Sequence, residues 1–288
     1  MSNKDLLENI KKLREMTGVG FKDCKAALDD SKGDIEKSIE YLRKKGIAKA
    51  SKKMSRTASE GLALVKENKG QVSIIEINSE TDFVAKNQDF INFCKELSEI
   101  NFINRGNLDK LNSSIMSNKI SVKDNLVNLI AKIGEKITIR RSKFFDNSTG
   151  DNFSYVHSAI EKGIGKIISV VKIEGISKGK NEEIGTKIAM HIAASNPLAL
   201  DRDNINKDIV NKELEIIKAE IANSGKPDEM AEKISKGKIS KFLNDNSLLH
   251  QLWIMDPKKK VSDVLKENSL EKQLKILDFI RYKVGEGV

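Results

Sequence analysis

The 288-residue chain carries 39% hydrophobic and 32% charged residues with a net charge of +9, the make-up of a folded protein with a heavily charged surface and room for more than one core. No apolar run approaches the ~20 residues a membrane helix needs, and the N-terminus has no apolar signal segment. Cys24 and Cys94 are the only cysteines, both on apolar helix faces, so buried thiols and a reducing, cytoplasmic setting are expected.

Three short helices are expected between residues 4 and 46. Leu6, Leu7, Ile10 and Leu13 repeat at helical spacing. Phe21 to Leu28 forms a second helix, and Asp34 caps a third that Gly46 should stop. Residues 1–56 hold 15 Lys+Arg against 9 Asp+Glu, so most of the excess charge is N-terminal. Arg43 to Arg56 has seven basic residues and no acidic one, and residues 47–60 read as a solvated basic linker. This run motivates an alternative function, an RNA- or ribosome-binding accessory protein. Sparse aromatics and the lack of an RNA-binding motif weigh against it, and RNA contact is not expected.

Beyond the linker the period changes to two. Gly61–Val65 and Val72–Asn78 read as a hairpin turning at Asn68–Gly70. A helix is expected from Phe83 to Ile100 and another from Val122 to Ile133, ending at Gly134 and followed by a strand at Lys136–Arg141. Phe153–Val156 and Ile167–Ile173 suggest a second hairpin, with a helix over Asn181–Ala194. Val210, Leu214, Ile217 and Ile221 step as a coiled-coil seam. With a turn at Ser224–Pro227 they predict a helical hairpin, and a short helix (Val261–Glu267) and a strand within Phe279–Val288 close the chain. The fold class is α+β: a three-helix bundle (1–46), a two-part α/β core with small antiparallel sheets (61–141 and 142–200), an inserted helical hairpin (201–247) and a C-terminal remainder (248–288).

No catalytic constellation is recognisable. His157, His191 and His250 are far apart, no Cys or His pair has metal-ligand spacing, and no phosphate-loop or nucleophile motif is present. Neither a catalytic residue, a metal, a cofactor nor a direct nucleotide site is therefore expected, and His191 reads as structural.

The junction Glu76–Asn87 stands out. By pattern alone it is a strand-to-helix turn in which Ser79 and Asp82 have capping-box spacing, Thr81 or Asp82 caps the helix, and Phe83 shares a core face with Phe90. However, Ser79–Asn87 resembles the signature of the bacterial elongation factor Ts family. Leu13–Gly20, Asp23–Lys25, Gly33–Ile35, Ile133–Arg141, Ile188–Pro197, Ser224–Pro227, Met255–Pro257 and Phe279–Gly287 resemble the family's other motifs in order. The resemblance implies a ubiquitin-associated-like N-terminal bundle and a non-enzymatic guanine-nucleotide exchange factor for elongation factor Tu. It also implies that Thr81, Asp82, Phe83 and Val84 displace the partner's magnesium, and that Ile133, Gly134 and His157 make other contacts. The segment after His157, Ser158–Gly163, is longer and less glycine-rich than the family's. A homodimer through the helical hairpin is left open.

Overall fold

The computed structural model describes residues 3–17, 19–177, 179–222 and 228–288, and the turn expected at Ser224–Pro227 lies outside them. The N-terminal bundle consists of α1 (Asn3–Thr17), α2 (Phe21–Asp30) and α3 (Ile35–Ser51) around Ile10, Leu13, Cys24, Ala27, Leu28 and Leu42. Asp34 caps α3 by accepting from the Lys37 N–H at 3.0 Å. Contrary to expectation, α3 does not stop at Gly46. Its extension buries Ala50 in the core of the next unit, and Gly46 lies against Val127 and Ala131. That packing outweighs the ~1 kcal/mol by which an interior glycine disfavours a helix.

Strands β1 (Glu60–Asn68) and β2 (Gln71–Ser79) form the expected hairpin. Its two turn residues, Lys69 and Gly70, both have positive φ (48° and 78°), the backbone whose twist matches the flanking strands. The helix expected over Phe83–Ile100 is instead two: α4 (Asp82–Ala85) and α5 (Gln88–Ile103). They are separated by Asn87, whose side chain accepts from the Asp89 and Phe90 N–H groups. A local side-chain cap has won over helix continuation, and Phe83 no longer shares the buried face of Phe90. Next come α6 (Leu108–Ser113), α7 (Val122–Ile133) and β3 (Ile137–Phe145).

The second half holds β4 (Asp151–His157), β5 (Ile164–Gly165), β6 (Ile167–Glu174) and α8 (Glu182–Ser195). It continues through the hairpin α9 (Lys207–Ala222) and α10 (Asp228–Asn246) to β7 (Leu252–Trp253), β8 (Asp256–Lys260), α11 (Val261–Glu267) and β9 (Lys275–Lys283). One antiparallel sheet has the order β3-β2-β1-β5 and another β4-β6-β9. Strand β9 overlaps the strand expected within Phe279–Val288 and ends at Lys283, after which the Gly285 N–H donates to Glu76.

Side-chain alternation stacks these elements in layers. Ile75 and Ile77 of β2 face Phe90, Cys94 and Leu97 of α5 and Leu129 and Ile130 of α7. Val72 and Ile74, one step out of phase, face Ile168, Val170 and Tyr282 of the other sheet. Val171 and Ile173 then face Ile184, Ile188 and Ile192 of α8. The hairpin leaves and rejoins the core where Ala199 bridges Ser247. His191 is structural: it stacks on Trp253, meets the Gln251 side chain at 3.0 Å and accepts from the Ile254 N–H.

Candidate functional site

Strand β2 delivers the chain to the site through buried Ser79, whose hydroxyl donates to the Thr81 carbonyl at 3.0 Å. Thr81 has the extended backbone of an N-cap (φ −124°, ψ 158°), yet its side chain makes no capping bond, and neither does the expected capping box form. Its N–H and hydroxyl instead donate to the two carboxylate oxygens of Glu135, at 3.0 and 2.8 Å. The Lys136 N–H donates in return to Glu80 Oε1 at 2.6 Å. The 80–81 and 135–136 loops are thus cross-tied, each holding its neighbour's backbone with a carboxylate.

The segment after α3 closes the knot. Lys53 Nζ donates to the Gly134 carbonyl, Arg56 pairs with Glu80 at 3.2 Å, and Lys136 Nζ donates to the Met54 and Arg56 carbonyls, both at 2.8 Å. Gly134 ends α7 in the left-handed conformation (φ 88°), its N–H returned to the Ile130 carbonyl at 2.9 Å. The basic run is therefore no loose tether. Arg43 pairs with Asp124, Lys44 with Glu40 and Lys45 with Asp23, so the cations that motivated an RNA-binding reading are largely engaged within the fold.

On this frame sits α4, a single turn with two faces. Val84 (5% exposed) and Ala85 (2%) point into the core. Phe83, by contrast, is 77% exposed, which rules out its burial beside Phe90. Asp82 pairs with Lys86 at 2.7 Å. That hydrogen bond, with the nearby lysine charges of Lys86 and Lys166, holds its carboxyl below the usual range, although an exposed pair adds little stability. The same Lys86 ammonium lies 6.0 Å from the Phe83 ring centre.

The structure thus brings Thr81, Asp82, Phe83 and Val84 to one corner with Ile133 and Gly134. His157 is elsewhere, exposed at the end of β4 with its Nδ1 3.3 Å from the Tyr155 hydroxyl. There it joins Tyr155, Met190, Ile254, Met255 and Arg281 around a cavity of about 490 Å³. Sequence reasoning missed Glu80, Glu135, Lys53 and Arg56, since pattern alone does not show a carboxylate bonding a backbone 54 residues away. Among the described residues, no group of three or more His, Cys, Asp or Glu could hold a metal ion, and no helix is long and apolar enough to cross a membrane.

On this turn the Phe83 ring stands out to solvent while its chain neighbours Val84 and Ala85 are buried, and sequence comparison places the chain among the translation elongation factors. The family model described as "Elongation factor TS" matches residues 80–286. Elongation factor Ts of Methylobacterium sp. (strain 4-46) is 41% identical over 285 residues, 97% of this chain and 92% of that protein. Those of Maricaulis maris (strain MCS10) and Rickettsia prowazekii (strain Madrid E) are 39% and 40% identical, each over 97% of this chain and 91% of their own length. The chain belongs to the elongation factor Ts family.

Proposed function

We propose that this protein is a guanine-nucleotide exchange factor for elongation factor Tu, and that Phe83 is the wedge by which it acts. The observation that carries the reading is the contrast within α4, where Phe83 is 77% exposed while Val84 and Ala85, next in the chain, are 5% and 2% exposed. In this reading Asp82 and Phe83 press between elements of the partner beside its magnesium. Val84 is the anchor behind them, and Ile133 and Gly134 extend the contact. His157 makes a separate contact from the other sheet.

The mechanism needs no chemical step from this chain. A guanine nucleotide is held by phosphate-loop dipoles, a lysine and a magnesium ion bridging phosphate oxygens. Shifting the elements that hold the magnesium weakens these contacts together. By linkage, the factor lowers nucleotide affinity by the same ratio as the nucleotide lowers the factor's. A ternary complex then releases one or the other, so the barrier falls while the equilibrium between GDP and GTP forms is unmoved. The test is release of a fluorescent GDP analogue from elongation factor Tu. Catalytic amounts of this protein should accelerate it, and no acceleration at micromolar concentration refutes the reading.

A further inference from the structure

We propose that Glu135 is a positioning residue for the Phe83 wedge, acting through Thr81. The inference rests on the exchange function proposed above. In a capping box, a glutamate three residues into the helix takes the N-cap N–H. In α4 that N–H, of Thr81, is taken by Glu135, which also accepts from the Thr81 hydroxyl. The cap is supplied by a distant loop, so the start of α4 is set by where α7 ends. Gly134 directs the chain there through its left-handed turn, and the bond from the Lys136 N–H to Glu80 keeps the two loops from sliding past each other.

The contact is placed to aim the turn rather than to support the core. Val84 and Ala85 are anchored by burial in the core cluster whether or not the clamp exists. Thr81 and Glu135 are only partly buried. Loss of the clamp therefore frees the head of α4, the end from which the Phe83 ring projects, and leaves the packed end in place. Glu135 has no role in chemistry and need not touch the partner.

Two substitutions separate geometry from charge. Glu135→Ala removes both bonds. Glu135→Gln keeps them, with Oε1 accepting from the Thr81 N–H and Nε2 donating to the Thr81 hydroxyl, which accepts as readily as it donates. The maximal rate of GDP release at saturating factor should fall about tenfold in Glu135→Ala, the equivalent of one net hydrogen bond. In Glu135→Gln it should stay within about twofold. The half-saturating concentration should change little in either, and hydrogen exchange at the Thr81 amide of the free protein should speed up about tenfold in Glu135→Ala only.

A wild-type maximal rate in Glu135→Ala overturns the inference, and so does equal slowing by both variants, which would point to the charge itself. Should the wild-type protein fail to release GDP, the exchange function falls. The Thr81 amide still decides the clamp, since unchanged protection in Glu135→Ala refutes it and lost protection sustains it. Should Glu135→Ala not fold, Thr81→Val removes the hydroxyl arm alone. Normal unfolding with faster amide exchange across residues 82–84 supports the clamp, and unchanged amide exchange overturns it.

Discussion

Phe83→Ala tests the wedge most directly, because core and contact readings of this residue predict opposite pairs of results. With 77% of the residue exposed, only about a quarter of its surface contributes to folding. Truncating a fully buried Phe costs about 3–5 kcal/mol, so Phe83→Ala should cost about 1 kcal/mol. Full burial of such a ring yields about 1.5–3 kcal/mol. The exposed three quarters therefore hold about 1–2 kcal/mol to be gained on the partner. If that gain is made as the magnesium site is displaced, losing it slows exchange about five- to thirtyfold. Urea unfolding gives the first quantity and GDP release from elongation factor Tu the second. Phe90→Ala is the control: at 0% exposure it should lose the full 3–5 kcal/mol. Loss of several kcal/mol in Phe83→Ala, or an unchanged exchange rate, would refute the assignment.

The remaining predictions concern the frame. Gly134→Ala meets open space but must hold φ at +88°, which should cost about 1–2 kcal/mol in urea unfolding. Glu76 is fully buried between Arg140 and Arg141, at 3.0 and 2.5 Å. Because these arginines keep some exposure, Glu76→Ala should cost about 3 kcal/mol, the lower end for breaking a buried pair. Burial alone raises the Glu76 carboxyl, but hydrogen bonds from the Gly285 N–H, Asn78 and Arg141 outweigh it and leave it below its ordinary value of 4.5. A lowered carboxyl stabilises the fold above its unfolded value and loses that contribution as pH falls through the folded one. The urea midpoint should therefore fall below about pH 4.5, and less steeply in Glu76→Gln.

What the sequence made legible was mainly local. Alternating apolar residues around Lys69–Gly70 located the first hairpin, Asp34 marked the start of α3, and Gly134 marked the end of α7. Each signal and its effect lie within a few residues. The errors came where distant packing or a competing polar group decided. Gly46 looked like a helix stop because its contacts with Val127 and Ala131 are invisible to periodicity. Phe83 and Phe90 are seven residues apart, which on one unbroken helix puts both on one face. The side chain of Asn87 breaks that helix and turns Phe83 outward. Glu76 is the one charge in β2, and no local pattern shows its pairing, since its partners Arg140, Arg141 and Gly285 come from far along the chain.

On the exchange reading proposed above, the same numbers indicate why Phe83 has to be held on a rigid turn. Ordering the backbone of one loose residue costs about 1–2 kcal/mol. Were residues 81–84 a flexible loop in the free protein, docking would have to order all four, at a cost of about 4 kcal/mol or more. That exceeds the about 1–2 kcal/mol which the exposed part of the Phe83 ring can return. A floppy wedge would spend more on ordering at the step that displaces the magnesium than its ring returns there. Burial of Val84 and Ala85 fixes one end of the turn, and the hydrogen bonds from Thr81 to Glu135 fix the other. With both ends held during folding, the ordering cost is met before the partner arrives. Most of the ring's burial energy then remains to work against the magnesium site, so Phe83 and Glu135 should show coupled effects on exchange. In a double-mutant cycle, Glu135→Ala should slow exchange about tenfold with Phe83 present and hardly at all once Phe83 is alanine. Equal slowing in both backgrounds would mean that Glu135 acts on something other than the wedge.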